Sequence, residues 1–500
     1  MLVQLNPALI IDFYKNFHRQ AMPKDIKKVY ETWTMRSGKY AGVTEGVVFG
    51  HQAMAVQWLV HYWNEMFFKK PKDLVVNEYA RYIKYCLFDE NPDVTSISTL
   101  HDLGYLPIEL KGLPEGTIIP MRCPSMTLES TNEKFAWITG YLETLISQET
   151  WDAYTSATIS NENRKVLEKW AIFTGSPIDF CNFQSHDFSA RGMNGVWASM
   201  TSAMGHLTSS AGTDTIVGIQ GVEQLYGANI ESELVGCSVN ATEHLVQCAN
   251  GLDEYATFNR LLTEVAPLGI LSVVSDTWDY WKVLTETVPQ LKEVILARKG
   301  KLVIRPDSGD PYKIICGDGD APQDTPQYKG SIQLLWETFG GTLVTSKNGE
   351  SYKVLDEHIG LIYGDSITTD LMNRILGKLA HDGFASCNVV FGVGSYTYQH
   401  VTRDTLGQAL KGTNCIIGNE EVFLFKDPKT DDGTKKSQRG CVVVYRDNSG
   451  KIQWKDGLTF DEASSFKGNM LTTFYKDSKM TTNVKFSEIR QRIAEHRQLN

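Results

Sequence analysis

Short apolar runs that end in polar or glycine-containing loops recur along residues 212–396, and most of them precede a segment of helical periodicity. The clearest runs begin at residues 212, 238, 271, 301, 358 and 387. Short apolar runs that alternate with helices are typical of βα units in a parallel sheet. More than five units in succession favour a (β/α) barrel, and no G-x-G-x-x-G turn opens the series as in many open doubly wound sheets. The pattern therefore predicts an α/β fold built on a barrel.

One of these runs, KLVIRPDSGDP at residues 301–311, ends in a segment that contains both proline and glycine. Pro306 fixes its own φ angle and biases Arg305 toward an extended conformation, whereas Gly309 allows a sharp turn. The segment predicts a stiff strand end that presents Arg305 and Asp307 side by side. Taken alone, such a segment is more often a surface turn with an Arg–Asp ion pair.

The working loops of a (β/α) barrel lie at the carboxyl ends of its strands. This placement would gather the following charged side chains around one mouth: Asp214, His244, Asp276, Arg305, Asp307, Asp365 and Arg403. With the glycine-containing loops GDS and GVGS they suit a sugar phosphate, because carboxylates accept hydrogen bonds from ribose hydroxyls and loop N–H groups bind phosphate oxygens. Arg403, Lys411 and Lys426 could neutralise a second phosphate, while the acidic groups could instead hold Mg²⁺. For His186 and His244, a structural and a catalytic role are equally open.

The two flanks of the chain have a different pattern from its centre. Residues 98–130 and 415–475 contain short strand-like runs broken by proline and glycine, including a hairpin signal at Asn448, Ser449 and Gly450. The last fifteen residues, FSEIRQRIAEHRQLN, predict a helix. We therefore expect residues 146–405 to form the barrel, with residues 1–145 and 406–500 forming a β-rich α+β domain against it.

Composition excludes several classes of function. A formal charge of −10 and a pI near 5.6 argue against nucleic-acid and anionic-membrane binding. Nine cysteines without a CxxC pair indicate reduced thiols. The N-terminus lacks the basic region of a signal peptide. No apolar stretch approaches the ~18 residues that a membrane span needs. We expect a soluble cytoplasmic protein. The spacings of zinc sites, P-loops and serine-hydrolase elbows do not occur.

Nine motifs follow one another in an order that resembles a known family: DFYK (12–15), VYETWTMR (29–36), SHDFSARG (185–192), GTDT (212–215), SVNATEH (238–244), SVVSD (272–276), IRPDSG (304–309), YGD (363–365) and LFKDP (424–428). The chain resembles the nicotinamide phosphoribosyltransferases of the type II phosphoribosyltransferase family over essentially its whole length. The resemblance implies an irregular TIM-like barrel. It also implies transfer of the 5-phosphoribosyl group from phosphoribosyl pyrophosphate to nicotinamide, with Mg²⁺, giving nicotinamide mononucleotide and pyrophosphate. The family is homodimeric, and the partner chain completes each active site.

The resemblance also implies a role for individual residues. Nicotinamide would stack between Phe188 and Tyr14 of the partner subunit and contact further polar side chains, namely Asp214, Arg305 and Ser272. The ribose and its phosphate would contact Arg191, Arg305, Asp307, Gly364, Asp365, Gly394 and Ser395. Pyrophosphate would bind Arg36, Arg403, Lys411 and Lys426. The catalytic set would be His244, Glu243, Asp307 and Asp214, with ATP phosphorylating His244 and Glu243 positioning that histidine or the Mg²⁺.

This sequence departs from the family at two glycine-rich segments and at one proline. The family's GDG and GSGGG segments appear as GDS (364–366) and GVGSY (392–396), so Ser366, Ser395 and Tyr396 add side chains where the backbone should approach phosphate. Asn240 stands where the family usually has proline. The alternatives are a nicotinate phosphoribosyltransferase and a non-catalytic ligand-binding or signalling protein on the same scaffold. Asp214 favours nicotinamide, because it would accept an amide N–H but repel a carboxylate.

Overall fold

The computed structural model describes residues 4–426 and 437–499. The chain divides into two compact units. We call the first the flank unit; it comprises Met1–Thr158, Val222–Ala228 and Val401–Asn500. The second, here called the barrel unit, comprises Ile159–Gly221 and Asn229–His400.

Of the strands in the described residues, the first five and the last six belong to the flank unit, and the eight between them belong to the barrel unit. In chain order they are β1 Ile26–Thr34, β2 Glu45–Val47, β3 Ile108–Gly112, β4 Ile118–Pro120, β5 Pro124–Ser130, β6 Ser185–Asp187, β7 Asn240–Ala241, β8 Leu271–Val274, β9 Leu302–Arg305, β10 Gly341–Thr345, β11 Ser351–Leu355, β12 Ile359–Tyr363, β13 Val389–Val393, β14 Ala409–Ile417, β15 Glu420–Phe423, β16 Cys441–Arg446, β17 Ile452–Leu458, β18 Thr472–Lys476 and β19 Lys479–Met480.

The α-helices include one long helix of 37 residues, α5. In chain order they are α1 Tyr14–Ala21, α2 His51–Met54, α3 Lys72–Cys86, α4 Thr95–Leu103, α5 Ile138–Thr174, α6 Cys181–Gln184, α7 Val196–Leu207, α8 Ile216–Tyr226, α9 His244–Asn250, α10 Glu254–Arg260, α11 Tyr280–Lys282, α12 Val288–Gln290, α13 Lys292–Ala297, α14 Pro311–Cys316, α15 Pro326–Phe339, α16 Thr369–His381, α17 Ser395–Gln399, α18 Phe460–Ser465 and α19 Phe486–Leu499. π-helical turns occupy Ala55–Tyr62, Asn64–Phe68, Leu261–Val265 and Val283–Thr287, and 3₁₀ turns occupy Pro7–Leu9, Glu133–Phe135, Ile178–Phe180, Ala190–Gly192, Ser386–Asn388 and Arg403–Thr405.

The barrel unit contains a parallel sheet of six strands in the order β6, β13, β12, β9, β8, β7. Beyond β6 the ladder continues through two isolated parallel bridges, from Asp187 to Thr213 and from Gly212 to Cys237. Cys237 precedes β7 by only a few residues, so these bridges lead back to the opposite edge of the sheet. The strands therefore form an irregular barrel, which confirms the predicted fold class.

Apolar side chains of the sheet form the core of the barrel unit. Leu302 and Ile304 of β9 are fully buried, as are Val389 and Phe391 of β13. Each such side chain stabilises the fold by about 1.5–3 kcal/mol relative to an exposed one. The core holds the strands in fixed register, so the residues at their carboxyl ends have a rigid base.

The segment between β8 and β9 contains WKVLTETVPQLKEVILARKG and has the apolar periodicity of a single amphipathic helix, but it is not continuous in the structure. It consists of α11, a π-helical turn at Val283–Thr287, α12 and α13. Pro289 lies in α12 and has no backbone N–H to donate along the helix, and Leu291 has φ −92° and ψ 7°. The proline therefore interrupts a helix that the apolar periodicity alone predicts as continuous.

The flank unit is built on a seven-stranded sheet in the order β15, β14, β1, β5, β3, β18, β19. Strands from the beginning of the chain pair antiparallel with strands from its end, as β1 does with β14 and β3 with β18. The expected hairpin is present as β16 and β17, and the expected C-terminal helix as α19. A β-rich domain from both terminal segments is thus confirmed.

Each of the nine cysteines is a free thiol in the structure. Among the described residues, no helix combines the length and the apolarity that crossing a membrane requires.

Candidate active site

The RPDSG segment after β9 is tied to both neighbouring strands of the barrel unit. The backbone oxygen of Arg305 accepts the N–H of Ser275 at 3.0 Å, and that of Pro306 accepts the N–H of Gly364 at 3.0 Å. Asp276 Oδ2 accepts hydrogen bonds from the Asp307 N–H at 2.8 Å and from the Ser308 hydroxyl at 2.6 Å. The segment is therefore a rigid strand end, and not a loose surface turn.

The Arg305 side chain is buried at the end of β9 and contacts an aromatic ring. Its guanidinium carbon lies 4.8 Å from the centre of the Phe188 ring, and 7% of the residue is exposed. Neither Arg305 Nε nor the buried hydroxyl of Ser272 has a hydrogen-bond partner. Both atoms therefore retain hydrogen-bonding capacity that is available to a ligand.

Asp214 follows the bridge between Thr213 and β6 and is oriented by two donors. His186 Nε2 lies 2.9 Å from Asp214 Oδ1, and the hydroxyl of Ser238 donates to the same oxygen. Burial acts to raise the pKa of Asp214. Hydrogen bonds from His186 and Ser238, together with the charge of Arg305, outweigh burial, so the pKa lies below its usual value. Asp214 is therefore an ionised carboxylate, and 42% of its side chain is exposed to receive a ligand.

His244 begins α9 and lies close to the carboxylates of the RPDSG segment. Its Nδ1 is 3.0 Å from the hydroxyl of Thr277, while its Nε2 is 3.9 Å from both Asp276 Oδ1 and Asp307 Oδ2. The side chain is 47% exposed. When Nδ1 donates its proton to Thr277, the lone pair of Nε2 is available to a ligand. Glu243, the residue before α9, is exposed, and its role stays a prediction.

Two glycines allow the loops that follow β12 and β13 to lie close to neighbouring carboxylates. A Cβ atom at Gly364 would lie 2.1 Å from Asp307 Oδ1, and one at Gly394 would lie 1.7 Å from Asp365 Oδ1. Neither position can accept a larger residue without moving a carboxylate. Ser366, where the family has glycine, has a left-handed backbone with φ 62°.

The loop after β13 meets the turn at Ala190–Gly192, where the 5′-phosphate was predicted. A Cβ atom at Gly192 would lie 2.1 Å from the Ser395 hydroxyl. Arg191 is exposed on this turn, and Gly394 precedes the short helix α17 that begins at Ser395. The predicted phosphate-binding residues Arg191, Gly394 and Ser395 therefore lie in adjoining segments.

Three of the four residues predicted to bind pyrophosphate line one pocket of the flank unit, with a volume of about 560 Å³. Its charged lining consists of Arg36, Arg122, Lys411, Lys426 and Asp456. The register of β1 with β14 places Lys411 opposite Thr32, which also lines the pocket. Lys411 additionally pairs with Glu143 at 3.0 Å. Asp427 and Pro428 of the LFKDP motif lie outside the described residues.

Arg403 is not part of this cationic pocket. It lines a second pocket of about 210 Å³ in the flank unit, together with Tyr14, Trp151 and Glu143. Tyr14 is the first residue of α1 and is 58% exposed. The exposed ring of Tyr14 and the Arg403 side chain thus line the same pocket of the flank unit.

Several residues of these sites were not assigned from the sequence. Asp276 was placed at the mouth of the barrel but given no role, and it holds the RPDSG segment. Thr277, which contacts His244, was not predicted. Arg122 completes the cationic pocket with a left-handed backbone, φ 72°, for which the sequence carries no signal. His186 was left undecided between a structural and a catalytic role, and the structure places it against Asp214.

The carboxylates near His244 fit a divalent cation that arrives with a phosphorylated ligand. Within residues 4–426 and 437–499, no group of three His, Cys, Asp or Glu side chains is arranged to hold a metal ion. Asp276 Oδ1, however, is a buried carboxylate oxygen without a hydrogen-bond partner, and it lies 3.9 Å from His244 Nε2, as Asp307 Oδ2 also does. Mg²⁺ prefers such oxygens and is commonly bound through one or two carboxylates plus substrate phosphates.

The chain is similar to one family of known proteins. Residues 183–479 match the sequence model of the nicotinate phosphoribosyltransferase (NAPRTase) family. A nicotinamide phosphoribosyltransferase from Acinetobacter baylyi is 45% identical over a 510-residue alignment that covers 99% of this chain and 98% of the relative. A nicotinamide phosphoribosyltransferase from Mycoplasma genitalium is 33% identical over 88% of this chain and 97% of its own length.

Two solved structures share the fold at low sequence identity. The nicotinate-nucleotide pyrophosphorylase from Pyrococcus furiosus has a TM-score of 0.57 at 14% identity, covering 99% of this chain and 95% of that one. The human nicotinic acid phosphoribosyltransferase has a TM-score of 0.56 at 13% identity, covering 97% and 93%. The family match over more than half of the chain and the full-length relatives lead to one conclusion: the chain belongs to the nicotinate phosphoribosyltransferase family.

Proposed function

We propose that this chain is a nicotinamide phosphoribosyltransferase, which converts nicotinamide and phosphoribosyl pyrophosphate into nicotinamide mononucleotide and pyrophosphate. The observation that carries the proposal is the ionised carboxylate of Asp214, held by His186 on the side of the barrel unit where Phe188 and Arg305 lie. The names of the full-length relatives support the same reaction.

Asp214 decides between the two bases that family members use. An ionised carboxylate accepts a hydrogen bond from a carboxamide N–H, whereas two carboxylates repel each other. The flat face of Phe188 offers a stacking surface for the pyridine ring, and such aromatic contacts contribute on the order of 1 kcal/mol. We therefore assign nicotinamide, and not nicotinate, as the base, with Ser272 and Arg305 as further contacts to it.

The RPDSG segment and the loop after β12 would hold the ribose. During transfer the bond from ribose C1 to pyrophosphate breaks as the ring nitrogen of nicotinamide bonds to C1, and positive charge develops on the sugar. Asp307 and Asp365 accept hydrogen bonds from the hydroxyls and stabilise that charge electrostatically. Because the strand end is fixed by Asp276 and Gly364, little reorganisation is needed.

Phosphate groups would bind at the positively charged and N–H-rich segments. The 5′-phosphate would lie at Arg191, Gly364, Gly394 and Ser395, and pyrophosphate at Arg36, Lys411, Lys426 and Arg403. Mg²⁺, held by the phosphates together with Asp276 and Asp307, would neutralise the leaving group. We propose a homodimer in which Tyr14 and some of these cations of one protomer serve the active site of its partner.

ATP would act through His244. Nε2, the nitrogen not facing Thr277, would bond to the γ-phosphorus of ATP as ADP leaves. The phosphohistidine would then add negative charge beside Asp276 and Asp307, the two carboxylates that would hold Mg²⁺. Asn240 lies four residues before His244, at the start of β7.

A product assay tests the proposal. The purified chain is supplied with phosphoribosyl pyrophosphate and Mg²⁺, with nicotinamide or nicotinate, and with or without ATP. We expect mononucleotide from nicotinamide, with more product when ATP is present. Product from nicotinate alone would overturn the base assignment, and no product from either base would favour a non-catalytic protein.

A further inference from the structure

His186 is fixed in one orientation by three contacts in the barrel unit. Its ring centre lies 4.5 Å from that of Phe188, its Nε2 lies 2.9 Å from Asp214 Oδ1, and a Cβ atom at Gly212 would lie 2.9 Å from its Nδ1. The residue is 8% exposed, in the middle of β6. The imidazole therefore has little freedom to rotate, and Gly212 is the residue that leaves room for it.

The position of Asp214 relative to His186 is set by the backbone. The N–H of Asp214 donates to the backbone oxygen of Asp187 at 2.9 Å, and the N–H of Asp187 donates to Gly212 at 3.1 Å. The side chains of His186 and Asp214 thus start from backbone segments that are hydrogen-bonded to each other.

The contact determines which proton His186 carries. An ionised carboxylate has no proton to donate, so Nε2 must be the protonated nitrogen. Because the Ser238 hydroxyl donates to the same oxygen, both protein donors occupy Asp214 Oδ1. Asp214 Oδ2 is left to accept a hydrogen bond from a ligand.

We propose that His186 is a positioning residue that sets the base specificity of the enzyme, by donating Nε2–H to Asp214 and so presenting an ionised Oδ2 to the carboxamide of the base. The inference rests on the proposed function. Without the His186 donor, Asp214 would turn more freely and bind a proton more readily. A protonated Asp214 could donate to a carboxylate, so nicotinate would become a better substrate.

Two variants that differ by one methylene separate this role from a purely structural one. The amide nitrogen of His186→Gln can reach the place of Nε2 and still donate to Asp214, whereas that of His186→Asn is too short. For each variant and for the wild type, we would measure kcat/KM for nicotinamide and for nicotinate, and the KM for phosphoribosyl pyrophosphate.

We expect the preference for nicotinamide over nicotinate to fall about 10-fold or more in His186→Asn. Loss of a hydrogen bond to a charged group changes an equilibrium constant by about that factor. In His186→Gln it should stay within about 3-fold of wild type by the same reasoning. The KM for phosphoribosyl pyrophosphate should be similar in all three proteins. An unchanged preference in His186→Asn, or an equal loss with both bases, would overturn the inference while leaving an active nicotinamide enzyme.

A measurement on the unaltered protein covers the case in which His186→Asn does not fold. In ¹⁵N-histidine spectra of the wild type, the signal of His186, assigned by its absence in His186→Gln, should show a protonated Nε2. A neutral imidazole with its proton on Nδ1 would overturn the inference. A wild type that makes no mononucleotide from nicotinamide would instead reject the proposed function, and this inference with it.

Discussion

Asp276 holds Asp307 in place through the backbone of the RPDSG segment. Asp276 Oδ2 accepts the N–H of Asp307 at 2.8 Å, and the Asp276 side chain is 4% exposed. Its other oxygen, Oδ1, has no hydrogen-bond partner and lies 3.9 Å from His244 Nε2. A single buried carboxylate thus links the proposed ribose clamp to the proposed phosphorylation site.

Replacing Asp276 by alanine should therefore impair use of the sugar substrate more than use of the base. Without the acceptor, the Asp307 N–H is left unpaired and the clamp loses its fixed geometry, so we expect kcat/KM for phosphoribosyl pyrophosphate to fall about 10–100-fold. Steady-state kinetics with each substrate varied in turn would measure this.

Asp310→Ala is the matched control for Asp276→Ala on the same loop. Asp310 caps α14 by accepting the N–H groups of Tyr312 and Lys313. Its loss should lower the free energy of unfolding by about 1 kcal/mol but change the kinetics little. Equal kinetic losses in both variants would contradict the role assigned to Asp276.

Ser366→Gly should stabilise the protein. Ser366 has φ 62°, a left-handed conformation that is unfavourable for a residue with a Cβ atom by about 1–2 kcal/mol. The greater freedom of glycine in the unfolded chain offsets part of this, so we expect the free energy of unfolding to rise by about 0.5–1 kcal/mol. Denaturant titration measures the change. Ser464→Gly, inside α18, should lower stability, and a loss in both variants would show that Ser366 is not strained.

Arg122→Gly should separate charge from backbone strain in the cationic pocket. Arg122 has φ 72° and lines the pocket with Arg36, Lys411 and Lys426, while its backbone oxygen accepts a hydrogen bond from Gln438 at 2.9 Å. Glycine removes one cation and relieves the strain. We expect the inhibition constant of pyrophosphate to rise about 10-fold while stability is kept or increased. Arg122→Lys should retain most of the affinity, and unchanged inhibition in Arg122→Gly would place pyrophosphate elsewhere.

Asp152→Asn should change how stability depends on pH. Burial in α5, with a further contribution from Glu149, raises the pKa of Asp152 to about 7. A carboxyl whose folded-state pKa is raised favours the folded state while it is protonated, and that stability is lost as pH rises from about 4 to 7. Relative to wild type, the variant should therefore gain stability across this window, on the order of 4 kcal/mol.

Unfolding titrations at several pH values would measure that gain. Asp447→Asn provides a contrast, because hydrogen bonds from Ser449 and Gln453 lower the pKa of Asp447 to about 2. In the wild type, the ionised Asp447 carboxylate stabilises the folded state above about pH 4, and this stabilisation is lost only as pH falls toward 2. The difference in the free energy of unfolding between Asp447→Asn and wild type should hence be constant from pH 5 to 8. A constant difference for Asp152→Asn as well would contradict the raised pKa.

The sequence predicts the parts of this protein that depend on local patterns. The apolar runs place β8, β9, β12 and β13 correctly, and Pro306 and Gly309 mark the strand end that carries Arg305 and Asp307. What it cannot predict depends on contacts between distant segments. That Asp276 accepts the Asp307 N–H follows from the pairing of β8 with β9. That Arg122 and Lys411 line one pocket follows from the order of strands around β1.

Local periodicity also fails where one residue changes a regular element. The segment from Tyr280 to Ala297 has the apolar spacing of a single helix, but Pro289 interrupts it. The left-handed conformation of Ser366 is invisible in composition, although the missing glycine at that position marks a departure from the family.

The most direct test of the central claim, that Asp214 selects nicotinamide, is a competition between the two bases. Equal concentrations of nicotinamide and nicotinate would be supplied with phosphoribosyl pyrophosphate and Mg²⁺, and the ratio of the two mononucleotides measured for wild type and Asp214→Asn. We predict that wild type makes predominantly nicotinamide mononucleotide, and that the nicotinate share rises about 10-fold or more in Asp214→Asn because the repelling charge is gone. A wild type that prefers nicotinate, or an unchanged ratio in Asp214→Asn, would contradict the account.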